Sequence, residues 1–206
     1  MTGLFALKRV RRVLLAVGVV LGAAGALLGT ATAARAASNL VKNGSLENRQ
    51  GKWTNTRCKY MSVRPGSKAI TGWKATAARG ELAWAKSPTC DGYRAAKGRF
   101  FVDLTGFGAD APNGALQQRL RTRAGKRYSF SIDVCTCNDG VLSAVLGGQT
   151  LSLTPGRSFV VGTTSWRHLL GSFRGNPDKP NPKLKIMNAT PGAQIVLIDG
   201  VVIRRQ

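Results

Sequence analysis

Apolar and polar side chains alternate with a period of two through most of the chain after residue 37, the pattern of half-buried β-strands. Over residues 127–134, Tyr128, Phe130, Ile132 and Val134 share one face while Ser129, Ser131 and Asp133 share the other. Over 166–173, Arg167, Leu169, Gly171 and Phe173 alternate with Trp166, His168, Leu170 and Ser172. Residues 114–120 place Leu116, Gln118 and Leu120 together, which makes Gln118 a hydrogen-bonded core residue. Further strands are expected at 39–46, 69–75, 100–104, 141–146, 150–153, 184–188 and 194–204. Turn chemistry separates them at Pro65-Gly66, Asn113-Gly114, Ala124-Gly125-Lys126, Asn138-Asp139-Gly140, Gly147-Gly148, Pro155-Gly156 and Pro191-Gly192. The stretches 51–75 and 86–98 contain long loops, and 174–183, with three prolines, reads as another. Many short strands with such punctuation predict an all-β fold, a sandwich or jelly roll.

The first 36 residues break this pattern. Lys8, Arg9, Arg11 and Arg12 form a positive cluster, an uncharged apolar run follows from Val13 to Leu28, and Ala34-Arg35-Ala36 supplies small residues for a signal peptidase. The run counts about 16 residues, short of the roughly 20 that span a bilayer. A cleaved export signal over 1–36, followed by one domain over 37–206, is therefore expected, with the mature protein secreted and no transmembrane segment in it. Arg11-Arg12 also partly fits a twin-arginine signal.

Composition then sharpens the picture. The mature part keeps 26 basic residues against 9 acidic ones, a net charge of +17 spread along its length. Such a surface attracts polyanions. Acidic polysaccharides, phosphate polymers of a cell wall and anionic headgroups fit an exported chain, and no motif for specific nucleic-acid recognition is present. All four cysteines, Cys58, Cys90, Cys135 and Cys137, lie in the mature part. An even number in an exported chain reads as disulfides, with three connectivities open. A metal site is disfavoured by the absence of C-x-x-C and by a single histidine, His168.

Several stretches then become familiar in order: N-L-V-K-N-G-S-L-E at 39–47, Gly72-Trp73, F-V-D-L-T-G at 101–106, A-L-Q-Q-R-L-R-T-R-A-G-K-R-Y-S-F-S-I-D-V at 115–134, and Trp166, Phe173 and I-D-G-V-V-I at the end. This series resembles the galactose-binding-like β-sandwiches, above all the family known as domain of unknown function 642, and is similar to carbohydrate-binding modules that open on N-L-x-x-N-G-x-F-E. The resemblance implies a jelly-roll sandwich with its first and last strands adjacent, and non-catalytic attachment to cell-wall polysaccharide. It also implies a structural calcium shared by carboxylates at the positions of Glu47 and Asp199. Calcium takes six to eight oxygens and could staple two chain ends. Alternatively, both carboxylates accept backbone amides.

Candidate ligand contacts follow from residue type. Trp53, Trp84 and Tyr93 stand in loop-like context beside Lys52, Lys86 and Arg94. An exposed ring offers a flat apolar face to a sugar, and a neighbouring cation holds a carboxylate or phosphate. The same rings could instead cover the edges of the core. Arg119 and Asp133 lie opposite the apolar faces of their strands and could meet sugar hydroxyls, or pair with each other on the surface. Catalytic patterns are missing: there is no G-x-S-x-G elbow, no H-E-x-x-H and no phosphate-cradling loop. Asp103, Asp110, Asp133 and Asp139 could meet in space as a glycosidase pair, but nothing in their spacing favours it. The sequence therefore reads as a binding protein rather than an enzyme. The alternative is an envelope-interaction protein held by charge alone.

Overall fold

The computed structural model describes residues 37–106, 111, 113–136, 140–190 and 194–206. The expected export signal, Cys137 and the turns at 138–139 and 191–192 lie outside these residues. In chain order the strands are β1 (Tyr60–Val63), β2 (Lys74–Thr76), β3 (Leu82–Lys86), β4 (Phe100–Asp103), β5 (Ala115–Arg119), β6 (Arg127–Thr136), β7 (Leu142–Leu146), β8 (Gln149–Thr150), β9 (Thr154–Val161), β10 (Thr164–Arg174), β11 (Lys183–Asn188) and β12 (Val196–Arg205). They form two antiparallel sheets, one ordered β1-β3-β4-β12-β6-β10-β9 and the other β2-β5-β11-β7-β8. The architecture is the all-β jelly-roll sandwich that the alternation predicts. Among the described residues no helix is long and apolar enough to cross a membrane.

The period-two pattern sorts side chains into layers. Tyr128, Phe130, Ile132 and Val134 of β6 enter the main core with Leu116 of β5, Leu184 and Ile186 of β11 and Ala144 of β7. Each such side chain, taken fully out of water, contributes about 1.5–3 kcal/mol. Gln118 accepts from the Lys42 amide at 3.0 Å and donates to the Lys42 carbonyl at 3.1 Å, so it is the satisfied core amide that its position predicts.

Three expectations about elements fail. Residues 39–46 form bends rather than a strand, although they do run beside β12: Leu40 N–H donates to Ile203 and Val201 N–H to Gly44. A Cβ at Gly44 would sit 1.9 Å from the Val201 carbonyl, so this close approach demands glycine. Second, β1 and β3 arise inside or beside stretches read as loops. Third, Pro155-Gly156 lies within β9 instead of turning. β9 is the edge of its sheet, where a proline's missing N–H leaves no ladder bond unmade.

The outer face of the seven-stranded sheet carries a second apolar cluster. Phe101, Cys135, Trp166 and Leu197 point outward there and meet Ala95 from segment 87–99, with Tyr93 and Ala96 packed at the margin. Trp166 Nε1–H donates to the Arg94 carbonyl at 3.0 Å, and Arg94 N–H donates to Thr164 Oγ1 at 2.7 Å. The segment is thus a strap lying across β4, β12, β6 and β10.

Candidate functional site

Trp84 is fully buried, with Nε1–H donating to the Leu46 carbonyl at 3.1 Å. It is a core residue on β3, and the expected exposed ring is not there. Its isolated sequence context hid a strand whose two faces are both buried. Trp53 is half-buried against the main core, its ring 6.2 Å from Phe100, and Tyr93 is half-buried at the margin of the second cluster. Both therefore cover core edges. Arg119 is exposed on β5, while Asp133 is buried on β6 in the other sheet. The two cannot form a surface pair, and Asp133 offers no open face to a sugar.

Instead, Asp133 anchors a carboxylate cluster beneath the strap. Its Oδ1 lies 2.6 Å from His168 Nδ1, and its Oδ2 lies 3.2 Å from Lys97 Nζ. That Oδ2 makes no aligned hydrogen bond, so the lysine contact is an ion pair alone. Asp199 stands directly opposite Asp133 and accepts from the amides of Lys97 at 2.9 Å and Gly200 at 2.6 Å. Burial pushes its carboxyl up to about 7, against the pull of those two amides and with the negative charges of Asp133 and Glu47 adding to the rise. Asp103 is likewise raised to about 7 by burial, despite the hydrogen bond from Thr105 N–H.

This donor set does not fit calcium. Glu47 Oε1 already accepts from the amides of Arg99 at 2.8 Å and Phe100 at 2.7 Å, and both oxygens of Asp199 are held by amides. Beside Asp133 the cation present is a lysine ammonium. Among the described residues no group of three or more His, Cys, Asp or Glu is arranged to hold a metal ion. Glu47 and Asp199 join the ends of the domain through the strap's backbone.

Of the cysteines, Cys58 and Cys90 are side by side. Cys90 N–H donates to the Cys58 carbonyl at 3.4 Å, and the hydrogen bond between their thiols raises the Cys90 pKa. Cys135 is buried in the second cluster.

The open chemistry lies on the outer face of the five-stranded sheet. Alternation on β5 and β11 sends Leu116, Gln118, Leu184 and Ile186 inward and leaves Gln117, Arg119, Lys183 and Lys185 outward. Register then builds rows across the sheet: Lys74, Gln117 and Lys185 in one, Arg119 and Lys183 in the next. A groove of about 510 Å³ opens here, with Gln50 and Lys68 completing its polar rim and Trp73 among its lining residues. None of the five strands contains an Asp or Glu. Arg119 was the one groove residue singled out from sequence. The K-L-K-I alternation of β11 carried the remaining signal, but only the pairing of β11 with β5 brings it to the same groove.

No family model matches the chain, and no curated protein matches it. Solved structures do. The module TmCBM61 in complex with β-1,4-galactotriose superposes with a TM-score of 0.44 at 16% identity, over 66% of this chain and 90% of that one. The CBM22-1 xylan-binding domain from Paenibacillus barcinonensis gives 0.40 at 16% identity, over 70% and 92%. The enzymatically active domain of bacteriophage CBA120 tailspike protein 4 gives 0.43 at 12% identity, over 70% of this chain and 21% of that one.

Proposed function

We propose that the protein is an exported, non-catalytic carbohydrate-binding protein that holds an anionic polysaccharide, such as an acidic cell-wall glycan, on the outer face of its five-stranded sheet. The observation that carries this reading is a sheet whose charged strand residues are all basic. The buried carboxylates Asp103, Asp133 and Asp199 all belong to the seven-stranded sheet, whereas the opposite sheet presents Lys74, Arg119, Lys183 and Lys185 with no acidic residue in any strand. Ammonium and guanidinium groups pair with the carboxylates of an acidic sugar, and the Gln50 and Gln117 amides suit its hydroxyls. The exported setting rests on the sequence of residues 1–36.

Titration of the full chain with polygalacturonate and with a neutral β-1,4-galactan tests the reading. Tighter binding of the acidic polymer is expected, with Arg119→Gln/Lys183→Gln weakening it about tenfold, as the loss of two charge-assisted contacts implies. Part of the binding should survive about 1 M salt, where free charges are screened within roughly 3 Å. Complete collapse in salt, with no competition from soluble sugar, would instead mean attachment by charge alone.

A further inference from the structure

One end of the sandwich, where β6 begins and β10 and β12 finish, gathers several guanidinium groups. Arg121, Arg123 and Arg205 line a groove of about 510 Å³ together with Leu40 and Tyr128. Tyr128 is fixed there: it stacks on Phe173 with ring centroids 5.1 Å apart, and its hydroxyl accepts from Arg123 N–H at 2.8 Å. On the neighbouring surface Arg127 and Arg174 stand directly opposite each other on paired strands, and Arg204 faces Ser129 one row along.

All six arginines are exposed, and among the described residues no carboxylate lies within 4.0 Å of any of them. Arg174 donates one hydrogen to the Gly125 carbonyl at 3.3 Å, and the other five guanidinium groups make no hydrogen bond to a described protein acceptor. Like charges directly across a strand pair are destabilising. The arrangement therefore holds a set of solvated, mutually repelling donors whose charge no protein carboxylate offsets and an external anion can pair.

We propose that this end is a binding site for a phosphate-bearing polyanion, separate from the groove on the five-stranded face. No residue lines both grooves. The composition of the site selects the ligand class. A planar carboxylate offers about four lone-pair sites in one plane, enough for two guanidinium forks, whereas a tetrahedral phosphate presents oxygens in several directions and accepts forks from two or three arginines at once. Three arginines converging on one groove exceed what a single carboxylate can use. The adjacent Arg127, Arg174 and Arg204 extend the track for a polymer with repeated phosphates. Ala37 lines the same groove, so cleavage after Ala36 adds an α-ammonium there.

Calorimetric titration of the full chain with inorganic polyphosphate, at about 0.15 M salt, tests this site. Replacing Arg121, Arg123 and Arg205 together by Gln is expected to weaken binding about tenfold or more. Replacing the same three by Lys, which keeps the charge and removes the forks, should still weaken it about fivefold. The control Arg57→Gln/Arg79→Gln/Arg167→Gln carries the same charge change at exposed residues that line neither groove, and should stay within about twofold of the parent. The substituted side chains are solvent-facing, and unchanged near-ultraviolet circular dichroism verifies the fold of each variant. The site is refuted if the lysine variant binds like the parent, if the control is as damaging as the Gln variant, or if the Gln variant loses as much affinity for polygalacturonate of matched length as it does for polyphosphate.

Discussion

Trp84 shows how a single residue changes meaning when its surroundings are known. Its indole N–H is spent on the Leu46 carbonyl, which a left-handed turn at Leu46 (φ 60°) presents to it. Trp73 does the same with Asn43, another left-handed residue (φ 48°), at 3.0 Å. The N-L-V-K-N-G-S-L-E stretch thus serves to receive two core indoles. Trp84→Ala is expected to cost about 3–5 kcal/mol of stability, as large cavities do, and denaturant melts check it. Asp103 makes a second prediction at this scale. Its folded pKa of about 7 stands above the ordinary aspartate value of 3.8, so between those values the folded state binds more protons than the unfolded state. Stability from this group is therefore full below about pH 4 and falls as pH rises through 7, at about 1.4 kcal/mol per unit. Asp199 works in the same direction. Asp103→Asn keeps an oxygen for the Thr105 amide and should flatten the decline between pH 5 and pH 8. An identical pH profile for the variant would exclude the effect.

The strands divide by how they are buried. β5, β6, β10 and β11 were legible because one face meets the core and the other does not, so the sequence alternates. β3 and β4 are buried on both faces, under the main core and under the strap, and L-A-W-A-K and F-F-V-D carry little alternation to read. β4 was found by its aromatic and β-branched residues, and β3, with two alanines, was missed. The first segment was expected as a strand from the same alternation, yet its left-handed residues fold it into turns and bends. Asp133 was expected on an open face for a related reason: the strap at 87–99 buries it and supplies Lys97, and no local pattern announces such a cover. The strap also places Cys90 against Cys58. We propose that these two thiols join under oxidising conditions, and peptide mapping without reduction should then recover residues 58 and 90 in one crosslinked fragment. Recovery of both as alkylated thiols from protein isolated under oxidising conditions would contradict this. Cys58→Ala should then lower stability by about 3 kcal/mol, the value of closing a loop of this size.

Across the whole molecule, the excess of basic residues was plain from composition, but its placement was not. Folding buries the three strand carboxylates of the seven-stranded sheet and sets Asp133 opposite Asp199 beneath the strap, where His168 and Lys97 partner Asp133. The charged residues in the strands of the opposite sheet are all basic, and the arginine-rich end gathers six arginines. Two surfaces of different chemistry result, lysines with amides on the face and guanidinium groups at the end. Lysine-reactive footprinting of the full chain, with and without an oligogalacturonate, tests the central claim most directly. Lys74, Lys183 and Lys185 should become protected together, while the exposed Lys59 and Lys126 keep their reactivity. Equal protection of all five, or none at the first three while the oligosaccharide is bound, would contradict a glycan site on the five-stranded face.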